Sequence, residues 1–155
     1  MATVQSTYPE NISALMLGQI ADTASCDIRT YIVEDSDIGF AVAVQQGTAD
    51  NQAKLGIAAG KFVGVTVKDP TLRPDAKDEY EEGGHMAVLF RGTVAVKVEE
   101  AVVVGGIVTA KTTTGALSSK AATNTQIKID GARWMSKAAA GGLAILQLSG
   151  ELPSA

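Results

Sequence analysis

Apolar residues along this chain fall in short runs, alternate with small or polar ones, and stop at turn-forming residues, which is the period-two signature of β-strands. Phe40-Ala41-Val42-Ala43-Val44 stops at Gln45-Gln46-Gly47, and Phe62-Val63-Gly64-Val65-Thr66-Val67 stops at Lys68-Asp69-Pro70. Met86-Ala87-Val88-Leu89-Phe90 ends at Arg91-Gly92, and residues 93–98 then set Val94, Val96 and Val98 against Thr93, Ala95 and Lys97, one apolar face against one mixed face. Val102-Val103-Val104 runs into Gly105-Gly106, with Ile107-Val108-Thr109-Ala110 beyond, a spacing that predicts a hairpin. Ile127-Lys128-Ile129 and the run from Gly142 to Leu148 supply the last two strands. No segment shows the 3.6-residue period of an amphipathic helix. The pattern therefore predicts a mainly β fold, an antiparallel β-sandwich or barrel.

Three segments depart from this rhythm. Residues 1–25 are polar and weakly patterned apart from Ile12, Leu15, Met16 and Leu17. They read either as an extended N-terminal arm that docks on a neighbour or as an edge strand of their own domain. The pattern divides the chain into an arm over 1–25 and a single β-rich domain over 26–155. Residues 68–82 hold six acidic and three basic side chains, and so carry −3 of the net charge of −4. Residues 118–125, rich in Ser, Ala, Thr and Asn, read as a mobile loop.

Composition narrows the functional classes. With 155 residues the chain fits one domain built on small aliphatics, since 46% of it is apolar but only 5% aromatic. A net charge of −4 repels a phosphate backbone, which argues against nucleic acid as a partner. The N-terminus lacks the basic start and apolar centre of a secretory signal, and no apolar stretch approaches the roughly 20 residues that span a bilayer, so no membrane partner is expected. The single cysteine, Cys26, requires no oxidising compartment.

Candidate chemistry is sparse. His85 beside Gly83-Gly84 lacks the further His and Cys ligands of a zinc site. Asp75, Asp78, Glu79, Glu81 and Glu82 do not have EF-hand spacing, and Pro74 interrupts them. Gly105-Gly106 and Gly141-Gly142 are not followed by Lys-Ser/Thr, so they read as turns and not as phosphate cradles. One histidine without a nucleophile elbow leaves no Ser-His-Asp system. The expectation is no catalytic residue, no cofactor and no metal. Trp134, next to Arg133, is either an interface hot spot or a cap on its own core.

Several segments together resemble the structural cement, or head-decoration, proteins of tailed bacteriophages. They are Gly18-Gln19-Ile20-Ala21-Asp22, Gly39-Phe40-Ala41-Val42 leading to Gly47-Thr48-Ala49-Asp50-Asn51, and Phe62 to Val67 followed by Tyr80. The order continues through Val88 to Val96, the valine run into Gly105, Thr114-Gly115-Ala116-Leu117, Gly131-Ala132-Arg133-Trp134 and Gly141-Gly142-Leu143-Ala144. The co-linear set, spanning about residues 15–148, carries the resemblance, because each block alone is only a Gly-and-Val phrase.

The resemblance implies a jelly-roll-like β domain on the outer capsid surface of the virion. Made in the host cytoplasm, it would bind the major capsid protein, bridge capsomers of the expanded head, and associate with itself as a homodimer or homotrimer. On that reading Tyr8, Ile12, Leu15 and Leu17 are the apolar anchors of the arm, and these four with Trp134 are the candidate interface residues. The alternative is a small β-rich carrier or accessory module, since Gly92 to Gly115 resembles a lipoyl or biotinyl domain. Such a domain needs a modifiable lysine at a hairpin tip, for which Lys97 and Lys111 are poorly placed.

Overall fold

The computed structural model describes residues 15–59, 61–71 and 79–150, and shows strands, turns and loops with no helix among the described residues. In chain order the strands are β1 (Ile20–Val33), β2 (Ile38–Gly39), β3 (Ala43–Gln46), β4 (Gln52–Leu55), β5 (Phe62–Thr66) and β6 (Glu79–Tyr80). They continue with β7 (His85–Lys97), β8 (Thr109–Lys111), β9 (Leu117–Ser118), β10 (Gln126–Lys128), β11 (Ala132–Trp134) and β12 (Leu143–Ser149).

Five strands close on themselves. The order β1-β4-β3-β5-β7 is completed by pairing of β7 with β1, giving a closed barrel, and β12 and β11 extend from β7 as a wing. All of these pairings are antiparallel except β1 with β4, which is parallel and joins Ile32 to Gln52 and Val33 to Ala53. Closure removes the sheet edges that an open β-sheet would expose. A three-stranded sheet, β10-β8-β9, and the short pair β2-β6 complete the molecule.

The long strand β7 joins the two halves. One of its edges runs beside β1 from Ile20 opposite Val94 to Ile32 opposite His85. Its other edge takes β5 at Val88 and Leu89 and then β12 over Arg91 to Lys97. The stop expected at Arg91-Gly92 is a bend inside one continuous strand. Gly92 has φ +134, which strains any residue with a Cβ, and a Cβ there would also press on Cys26 Sγ at 3.1 Å and Leu89 Cδ1 at 3.2 Å.

Alternation along the barrel strands divides the buried side chains into two cores. Val33, Val44, Ala53, Val63, Met86 and Val88, with at least one member from every barrel strand, pack together with Ile38, Phe40 and Tyr80. Their chain neighbours Ala43 and Leu89 belong instead to a larger cluster with Val94, Val96, Val108, Leu117, Trp134 and Leu146, which joins the barrel to the wing and to the three-stranded sheet. Covered on both faces, β5 is buried at every position.

The valine hairpin is not formed as the pattern predicted. β8 pairs with β9 and β10, not with residues 102–104, and Val102 makes only an isolated bridge to Ala138. Phe40 and Ala41, expected to begin a strand, form a turn in which Ala41 has φ +59, and pairing starts at Ala43. At the start of the expected loop over 118–125, Ser118 lies buried in β9, and Thr123 bridges Gln126.

Candidate functional site

The described part of the N-terminal segment is fastened to the barrel. Gly18 N donates to Ala95 O at 2.8 Å, Ala95 N to Gln19 O at 2.8 Å, and Lys68 N to Gly18 O at 2.8 Å. Residues 20–25 are the first part of β1. Of the arm anchors, Tyr8 and Ile12 lie outside the described residues. Leu15 is partly exposed, and Leu17 is half-buried against both cores.

Leu17 also lines a groove of about 510 Å³ with Phe40, Val42, Val98 and Ala116, in which Lys97 and Glu99 are the only ionisable lining residues. No Ser, Thr, Cys or His lines it. On another face, the Arg29 guanidinium lies 4.1 Å from the centre of the Phe90 ring and is paired with Asp27 at 3.0 Å, an exposed arrangement of stacked cation and carboxylate.

Trp134 is completely buried, and it belongs to the larger core. Its indole Nε1 donates to Ile107 O at 2.9 Å, and its own carbonyl accepts from Gly105 N at 2.9 Å. These two bonds seat the turn 103–107 directly over the tryptophan. Arg133 is exposed and its Nε donates to Gln147 Oε1 at 2.9 Å across the β11-β12 pair.

Around this seat lie exposed apolar residues that sequence reasoning missed. Val103 and Val104 are 67% and 65% exposed, Ile107 45%, and Met135, next to the tryptophan, 39%. A run of three valines reads as a strand core, so the pattern gave no sign that two of them face outward. The useful signal was the absence of charge from Ala101 to Ala110, interrupted at Gly105-Gly106 by two glycines that favour a turn.

The remaining candidates stay apart. His85 is exposed at the start of β7, and no group of His, Cys, Asp or Glu that could hold a metal exists among the described residues. Cys26 is exposed, with its Sγ donating to Asp22 O at 3.2 Å. Of the acidic segment, Asp69 accepts from Thr71 Oγ1 at 2.7 Å and then from Thr71 N at 2.8 Å, which together hold its carboxyl below the usual range. Glu82 N donates to Asp37 Oδ1 at 3.1 Å, tying that segment to the loop after β1. Lys97 lies in β7 opposite Leu143, and Lys111 lies in β8 with its Nζ 2.7 Å from Glu99, so neither stands at a hairpin tip.

Among the described residues, the apolar groove beside the barrel and the exposed apolar turn over Trp134 are the surface features that stand out. Comparison with known proteins gives its family. The family model described as structural cement protein (E217 gp24/Pam3 gp6) matches residues 4–149, and the chain belongs to that family, making it a structural protein of a phage virion. A chain from the solved structure titled "The capsid of Myoviridae Phage XM1" superposes with a TM-score of 0.73 at 13% identity, covering 96% of this chain and 98% of that one. At that identity the likeness is one of fold. A second, titled "The crystal structure of head fiber gp8.5 N base in bacteriophage phi29", gives a TM-score of 0.47 at 15% identity over 84% of this chain and 100% of that one. No curated protein matches.

Proposed function

We propose that this protein binds the outer surface of the expanded phage head, bridges neighbouring major capsid protein subunits, and stabilises the shell without catalysing a reaction. The observation that carries the reading is the family match over residues 4–149, nearly the whole chain. The mechanism is linkage. A protein that binds the assembled, expanded shell and not its precursor adds its binding free energy to the stability of that state. Contacts too weak to hold alone become strong when they repeat across a lattice.

Two features support the assignment of surfaces. Leu17 lines the apolar groove, and on this reading Tyr8, Ile12 and Leu15, which precede it in the sequence, supply further apolar anchors for a neighbouring subunit. The net charge of −4 favours a basic protein surface over nucleic acid and would orient approach more than strengthen the final contact. Self-association as a dimer or trimer and synthesis in the host cytoplasm belong to the same reading.

The test is gradient co-sedimentation of the purified protein with expanded shells lacking it, and with unexpanded precursor shells. Saturable binding to the expanded shells alone is the expected result, weakened when residues 1–17 are deleted. Equal binding to both shells removes the linkage mechanism, and binding to neither removes the capsid reading.

A further inference from the structure

The turn after Val102 is the most apolar exposed feature among the described residues. It presents two adjacent valines to solvent, and Ile107 in the same turn and Met135, the chain neighbour of Trp134, are exposed as well. A Cβ placed on Gly105 would meet nothing within 4 Å, so the turn stands out into open space. It is nevertheless held firmly. Gly106 N donates to Val103 O at 3.1 Å, Gly105 N and Ile107 O are both bonded to Trp134, and Val102 and Ala138 exchange backbone bonds of 2.9 and 3.2 Å. Exposed valines on a rigid, uncharged projection gain nothing by facing water, and patches of this kind on monomers commonly mark interaction sites.

We propose that this turn is an apolar knob that seats in a recess of the capsid protein, a contact separate from the N-terminal segment. The proposal rests on the capsid reading above. The area decides between the shell and a second copy of this chain. Four partly exposed side chains offer on the order of a few hundred Å², well below the roughly 800 Å² per partner of a stable interface. A contact that small cannot hold a free dimer, but it contributes fully where many copies are arrayed on one lattice. Shape points the same way. A two-fold dimer needs a self-complementary patch, and a projection meeting the groove of another copy would make a head-to-tail contact that propagates into rings or fibres.

The experiment uses the full-length chain with the double substitution Val103→Asp and Val104→Asp, and with Val103→Thr and Val104→Thr as a shape-conserving pair. Binding to expanded shells is measured by co-sedimentation, with sedimentation velocity for oligomeric state and near-ultraviolet circular dichroism for the fold. The expected result is wild-type binding, at least about tenfold weaker binding of the Asp variant, a smaller loss for the Thr variant, and an unchanged oligomer and fold. If the Asp variant does not fold, equal binding by a folded Thr variant and the wild type overturns the knob. Undiminished binding of a folded Asp variant overturns it as well, and a changed oligomeric state makes the turn a self-contact and also overturns it. Failure of the wild type to bind any shell overturns the capsid reading itself.

Discussion

The indole nitrogen of Trp134 donates to the carbonyl of Ile107 at 2.9 Å, across 27 residues of sequence. The bond anchors an exposed turn on the most bulky buried side chain of the molecule. It satisfies the one polar atom of an otherwise apolar ring, as a buried tryptophan requires.

Trp134→Phe removes that donor and leaves the Ile107 carbonyl without its partner inside the protein, while also opening space in the larger core. The expected loss is about 2–4 kcal/mol, the sum of an unmade hydrogen bond and a partial cavity. Urea denaturation measures the loss. Hydrogen exchange on the Gly105 and Gly106 amides should rise more than in the barrel strands, because the turn is loosened first.

Gly115 makes a close backbone approach between the three-stranded sheet and the barrel. It has φ +63, its carbonyl accepts from Ala43 N at 2.9 Å, and a Cβ would strike the Ala43 carbonyl oxygen. Gly115→Ala is expected to cost about 2–4 kcal/mol through the positive φ and the steric clash together. Gly105→Ala, also at positive φ but in open space, should cost only about 1 kcal/mol. Similar thermal midpoints for the two variants would show that the close approach does not matter.

Tyr80 gives the protein an alkaline limit. Its ring packs edge-on to Phe40, with centroids 5.2 Å apart, and its hydroxyl donates to Val67 O at 2.6 Å. Burial pushes the phenol up to about 12, from 10.0 in the open chain. Because the folded value is the higher one, the contribution is complete below pH 10 and is lost as pH rises toward 12. The loss is on the order of 2 kcal/mol. Denaturation measured from neutral pH upward should show this decline in the wild type and a shallower one in Tyr80→Phe.

The parallel closure of the barrel has its own pin. Glu34, the residue after β1, accepts from Thr48 N at 3.0 and 3.1 Å and from the Thr48 hydroxyl, joining the end of β1 to the turn between β3 and β4. The Thr48 hydroxyl, foremost, holds the Glu34 carboxyl below its usual range. The folded value is the lower one, so this contribution is present above the open-chain value and lost as pH falls through the folded one. Carbon-detected NMR titration should find the Glu34 midpoint raised in Thr48→Ala, and an unmoved midpoint would exclude the hydroxyl as the cause.

By itself the sequence determined the class of fold and the strands with a strong local pattern. β5 and β12 lie where alternation of valine, leucine and isoleucine put them, because side chains buried by a sheet leave a period of two in the chain. It also carried the family, as a co-linear series of blocks no one of which is specific. The longest strand was beyond its reach. β1 contains Asp22, Thr23, Asp27, Arg29 and Thr30, and its register shifts three times between Ile20 and Ile28, so no single alternation runs along it. β4, only four residues long, follows the turn residues 47–51 directly and is too short to show an alternation. Only the tertiary structure decided that β1 closes the barrel on β4 and β7, that Trp134 goes inside, and that Val103 and Val104 go outside. Those outcomes depend on pairings between residues far apart in the chain. A local pattern records how many faces of a segment are apolar, but which face meets a partner is settled when the barrel closes and the turn is pinned to the tryptophan.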